Sequence, residues 1–108
     1  MAFMKAVKSV AIAALALVLA APALAAEDSS RGLELLNSLG CKGCHRINGA
    51  GGTLGPALDG VGKRLNAQSI RRQLLDPKSL KPGSVMPSFG HLPEQNINTL
   101  VDYLGELK

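Results

Sequence analysis

Cys41 and Cys44 are the only cysteines in the chain, and with Lys42 and Gly43 between them and His45 directly after, they put two thiols and an imidazole within five residues. Nothing else in the 108 residues constrains the fold as strongly. Tryptophan is absent, and Phe3, Phe89 and Tyr103 are all the aromatic residues there are. A chain of this size buries only about 60% of the surface it exposes when unfolded, and small scaffolds usually need a disulfide, a metal or some other staple. The interior is therefore expected to be completed by something other than side chains. Cys41-Lys42-Gly43-Cys44-His45 is the place to anchor it.

The apolar residues are unevenly spread. Lys5 and Lys8 precede an uncharged run from Val10 to Ala21, which ends in Pro22-Ala23-Leu24-Ala25-Ala26. This is the layout of a secretory signal peptide, with a positive start, an apolar middle and small residues at the peptidase site. Residues 1–26 are read as the leader and 27–108 as the mature domain, with cleavage after Ala25 or Ala26. The competing reading is an uncleaved anchor, because Val10 to Ala26 comes close to the minimum length that spans a bilayer, but Pro22 and the small residues oppose it. No cysteine lies near the cleavage region, so lipoprotein processing is excluded. Loss of Lys5 and Lys8 with the leader leaves ten basic and eight acidic residues, a net +2 where the whole chain carries +4. That charge is too small and too dispersed for a nucleic-acid footprint.

In the mature region Gly32, Leu35, Leu36 and Leu39 recur at helical spacing. The expected first helix is capped by Ser30 and stopped by Gly40, just before Cys41. From Arg46 to Gly62 the chain passes through Gly49, Gly51, Gly52, Gly55 and Pro56, and a long loop is expected, without helix or strand, with Ile47, Leu54 and Leu58 packed inward. Asn66 is expected to cap a helix over 67–75 that ends at Asp76-Pro77. A second loop runs over 78–90, and Pro93, near the first helical position, opens a last helix whose buried stripe is Ile97, Leu100, Val101, Leu104 and Leu107. No stretch alternates like a strand. The class is all-α, with three main helices and long glycine- and proline-rich connections.

C-x-x-C-H is the pattern of c-type haem attachment. Two thiols at this spacing can each add to one vinyl group on one edge of a porphyrin, and the adjacent histidine then points at the iron. Three other chemistries share the letters. A thioredoxin-like dithiol needs a βαβ setting; a structural disulfide leaves His45 unexplained; zinc wants four ligands, which Cys41, Cys44, His45 and His91 could supply by count. Export favours haem, since an exported C-x-x-C-H meets the haem-attachment machinery of bacterial periplasms. For a second axial ligand Met86 is the one methionine left after leader removal, in Val85-Met86-Pro87-Ser88-Phe89, a loop stiffened by Pro82 and Pro87. His91 is the rival, and a His/His site would have a lower potential than Met/His.

With these residues assembled, the mature chain resembles the class I cytochromes c, small monohaem electron carriers, over nearly all of residues 31–108. Gly32, Leu35 and Leu36 ahead of the Cys41–His45 motif are similar to that family's first helix, and Leu100, Val101, Tyr103 and Leu104 to its last. The resemblance implies that the two helices cross with Gly32 against Tyr103. It implies that Pro56, in Gly55-Pro56-Ala57-Leu58, accepts the ring proton of the proximal His45 through its carbonyl. It also implies that the stretch from Asp76-Pro77 to Phe89 is the ligand loop, similar to that of soluble bacterial cytochromes and of cytochrome-bearing oxidase subunits. Aliphatic Leu54, Leu58, Leu65, Leu74 and Leu75 are expected to shield the haem in place of the missing aromatics.

The function that follows is a periplasmic single-electron carrier, not an enzyme. One haem c is held through Cys41 and Cys44 and ligated by His45 and Met86. The expected partners are redox proteins, a donor and an acceptor that dock transiently, with no nucleic acid, no stable membrane insertion after leader cleavage, and a monomeric state. Lys42, Arg46, Lys63 and Arg64 are candidates for the docking surface, and Arg64, Arg71 and Arg72 for pairing with the haem propionates. The alternative is a ligand-binding or peroxidase-like haem protein in which Met86 is labile or His91 takes the distal position.

Overall fold

A computed structural model of the chain describes residues 20–108. Positions 1–19 of the expected leader lie outside the described residues. Five helices and one small hairpin follow one another: α1 (Ala20–Ser38), a 3-10 turn (Cys41–Gly43), β1 (Arg46–Ile47), β2 (Ala50–Gly51), α2 (Val61–Arg64), α3 (Ala67–Leu75), α4 (Pro77–Leu80) and α5 (Glu94–Gly105). No helix among the described residues is long and apolar enough to cross a membrane.

The three longer helices, α1, α3 and α5, are the three that the apolar spacing predicts. Leu35 and Leu36 of α1, Ile70 and Leu74 of α3, and Ile97, Leu100, Val101 and Leu104 of α5 are buried together with Ile47, Val61 and Phe89. α5 is the hub, packing against α1, α3 and α2. Its crossing with α1 depends on Gly32. A Cβ there would lie 2.6 Å from Cγ and 2.8 Å from Cδ2 of Tyr103, far inside van der Waals contact, so the ring can lie on the helix backbone only if residue 32 has no side chain. The end of the chain is tied back by Gly62, whose N–H donates to the Leu107 carbonyl at 2.8 Å.

Element boundaries differ from expectation in six places. The loop expected over 46–62 without helix gives way to the single turn of α2 at Val61, after Gly60 in the left-handed region at φ 70°, and α5 ends at Gly105, so Leu107, expected on its buried stripe, lies past its end and is half-buried. Ser30 is not a cap: α1 begins at Ala20, so Ser30 sits in its interior and the alanine-rich stretch before it, favourable for helix, continues the same rod. Gly40 does end this run, in the left-handed region at φ 74°. The loop after Arg46 is not strand-free, because β1 and β2 pair antiparallel with Arg46 opposite Gly51 and Ile47 opposite Ala50. The two residues between them, Asn48 (φ 51°) and Gly49 (φ 79°), both take positive φ, as a tight primed turn requires. Pro77 stops α3 and also starts α4, since its fixed φ and missing N–H suit a first helical position, so the second loop begins only after Leu80. Pro93, last, is the N-cap of α5 with extended ψ (142°), one position earlier than expected. Asn66 caps α3 as predicted, its side-chain oxygen accepting from Ser69 N–H at 2.9 Å.

Candidate functional site

The motif leaves α1 through Gly40 and coils at once. Gly43 N–H donates to Gly40 O at 2.9 Å, and both Cys44 N–H (3.2 Å) and His45 N–H (3.0 Å) donate to Cys41 O, which puts the two thiols and the imidazole on one short coil. Both cysteines are free and half-buried. Burial pushes the Cys41 thiol up from its ordinary value, a tendency that a backbone hydrogen bond partly offsets.

The following loop is laced onto this coil. Carbonyls of Lys42, Cys44 and Arg46 accept in turn from the N–H groups of Gly52 (2.9 Å), Gly55 (2.8 Å) and Leu58 (2.8 Å). This alternation carries Pro56 to the edge of the imidazole, where His45 Nδ1–H donates to Pro56 O at 2.7 Å. A carbonyl can only accept, so the bond fixes Nδ1 as the protonated nitrogen and leaves Nε2 as the ring's free lone pair. Gly55 lies flat on the same ring: a Cβ there would stand 2.5 to 3.0 Å from Cε1, Nδ1 and Nε2. Asp59 braces the loop by accepting from Asn48 N–H (2.9 Å), and Arg64 clamps it through Ala57 O (2.7 Å) and Asp59 O (2.9 Å).

Met86 is half-buried and packs against the core cluster. Its loop is sewn to the end of α3, where the last carbonyls of the helix have no intrahelical partner: Phe89 N–H donates to Leu74 O at 2.8 Å and Ser88 Oγ to Leu75 O at 2.6 Å. His91 is exposed, with its ring tilted beside Phe89 at 6.4 Å between centroids. Among the described residues no three of His, Cys, Asp and Glu come together as a metal would need, so the four residues counted for zinc are not assembled. The only strands described are the paired two-residue strands β1 and β2, which offer no βαβ setting for a dithiol.

Other expected roles divide. Arg71 is engaged with Glu94 at 2.7 Å and with Asn98, bridging α3 to α5, and Arg64 with the carbonyls above. Arg72 is exposed on α3. Of the aliphatic residues expected beside the haem, Leu74 is buried, Leu58 and Leu75 are half-buried, and Leu54 (79%) and Leu65 (37%) are open on the surface. Val85, next to Met86, is equally open at 78%. Two contributors escaped the sequence reading, Gly55 as a seat for the imidazole and Gln73 near Met86. Asn48-Gly49 between apolar residues was the signal for the hairpin that starts the lacing.

The donor set fits a c-type haem. Two free thiols precede an imidazole whose Nδ1 is already engaged, a thioether is held on a separate loop, and open aliphatic side chains suit an apolar plane. Two curated relatives carry similar sequence, both named cytochrome c oxidase subunit 2. One, from Alkalihalophilus pseudofirmus, is 32% identical over 74% of this chain and 26% of its own length. The other, from Bacillus sp. strain PS3, is 33% identical over 69% of this chain and 25% of its own. The chain thus spans about a quarter of the length of these relatives. The Cytochrome c family model matches residues 29–108, the whole stretch that holds the motif, the laced loop, Met86 and the crossing of α1 with α5, and the chain belongs to the cytochrome c family.

Proposed function

We propose that the chain is an exported, periplasmic single-electron carrier, with one haem c attached through Cys41 and Cys44 and ligated by His45 and Met86. When bound, the haem supplies a one-electron ferrous/ferric couple. The single observation that carries the reading is the His45 Nδ1–Pro56 O bond of 2.7 Å. A structural histidine has no need of a fixed tautomer, whereas a ligand does, and the bond both orients the ring and makes Nε2 a better donor. Met86, held on a loop tied to α3, supplies the sulfur, which favours the reduced state relative to a second imidazole. Holding both ligands on braced backbone keeps reorganisation small between oxidation states. The role is electron carriage, with no substrate turned over.

The partners are respiratory redox proteins that dock transiently, and the two oxidase-subunit relatives support that setting. Export is supported by the leader composition of residues 1–26. Lys42, Arg46 and Lys63 remain the docking candidates. The test is the ferric absorption spectrum of the matured protein in the far red, with Met86→Ala and Cys44→Ala beside it. A weak sulfur-to-iron charge-transfer band is expected in the wild type and not in Met86→Ala, which should keep its haem, take up cyanide and have a lower potential. Cys44→Ala should lower the yield of covalent haem. A wild type without the band would overturn Met86 as the ligand, and would hand the second position to His91, giving a low-potential cytochrome, or leave it open, giving a ligand-binding one.

A further inference from the structure

Gln73 stands on the inward stripe of α3, three residues after buried Ile70 and next to buried Leu74, and is itself half-buried. A long amide on such a stripe gives up water and needs a partner. Its partner is Met86, with Nε2 3.5 Å from Sδ. A thioether has no proton, so the amide N–H donates and the sulfur accepts. Both ends of this contact are held. The loop that carries Met86 is sewn to the last turn of the helix that carries Gln73, through Phe89 N–H on Leu74 O and Ser88 Oγ on Leu75 O, and Met86 N–H is turned onto Ser84 Oγ at 3.2 Å.

We infer that Gln73 is a positioning residue that acts through Met86: its side-chain amide occupies one lone pair of the sulfur and thereby sets how strongly the other binds iron. The inference rests on the reading of Met86 as the second ligand. A sulfur has two lone pairs, and an N–H on one draws electron density away from the other. The ferric ion, the more demanding acceptor, loses more by this than the ferrous ion does. With the amide in place the reduced state is therefore favoured and ferric Met86 is the easier to displace. Partners one step removed from a metal often govern its properties in this way.

The test uses the matured holoprotein with Gln73→Leu and Gln73→Glu, the second keeping the length of the side chain while ionised carboxylate only accepts. Three quantities are read: midpoint potential, position of the far-red sulfur-to-iron band, and cyanide affinity of the ferric form. Gln73→Leu should have a lower potential, a band at longer wavelength and a cyanide affinity reduced several-fold, and Gln73→Glu should move the band and the affinity in the same directions. A side chain that merely fills space predicts the opposite for cyanide, because a loosened loop gives Met86 up more readily. Tighter cyanide binding, or a Gln73→Glu band at the wild-type position, overturns the inference while the ligand reading stands. A wild type with no band overturns both.

Discussion

Gly55 stands where the His45 ring allows no side chain, and this contact can be tested with one methyl group. In Gly55→Ala the new Cβ would meet ring atoms at 2.5 to 3.0 Å, and neither the ring, held by Pro56, nor the backbone, held by Cys44 O, can yield freely. Overpacking of this kind typically costs about 1–3 kcal/mol. Thermal unfolding of the holoprotein should show that loss, together with a change in the ferric spectrum as the imidazole tilts; an unchanged spectrum would mean that the ring has another seat. Cys41, Cys44, His45 and Met86 are the residues that the sequence alone singles out, because thiol, imidazole and thioether chemistry is written in residue type and spacing. Gln73 and Gly55 were not. Their importance comes from what stands opposite them, Sδ of Met86 and the imidazole, each from a different part of the chain.

Among the elements, α1 and α5 are held at a crossing that depends on the missing side chain of residue 32. Gly32→Ala would set a Cβ 2.6 Å from Tyr103 Cγ, on a stretch where Leu35, Leu36, Leu100 and Leu104 leave no slack. A loss of about 1–3 kcal/mol is expected in chemical denaturation of the holoprotein. Pairing it with Tyr103→Leu should recover part of the loss if the ring is the obstacle. The 3.6-residue period announced these two helices and α3, because burial against a partner leaves an apolar stripe on any helix that packs. Boundaries were less legible. Ser30 has the chemistry of a cap, but capping propensity yields when the residues before it also form helix. Pro77 ends one helix and begins the next, two roles that a proline's restricted φ permits equally.

At the scale of the molecule, the eleven buried hydrophobic side chains among the described residues are a small core, only one of them aromatic. Chain made without haem attachment should therefore lack a cooperative thermal transition by circular dichroism, and the attached form should have one; a sharp transition in the haem-free chain would show that the side chains suffice. Charge is also unevenly placed. Residues 41–90 hold eight basic and two acidic side chains, while the flanking stretches 27–40 and 91–108 hold two basic and six acidic. An acidic donor or acceptor that docks on residues 41–90 should be met by positive potential, so with such a partner the bimolecular transfer rate should fall as ionic strength rises toward about 0.15 M, where screening acts within about 8 Å. A flat salt dependence would point to an apolar docking face. By itself the sequence determined the class of cofactor chemistry, the three long helices and the inward faces of two of them, since these follow from residue types and from periods that any local stretch reveals. The Pro56–His45 bond, which the resemblance implied, is closed at 2.7 Å, and only the tertiary structure decided that Arg64 and Arg71 serve as struts and that Gln73 reaches Met86. Each of those contacts joins residues 5 to 27 positions apart, and that distance is closed by packing, which no local spacing records.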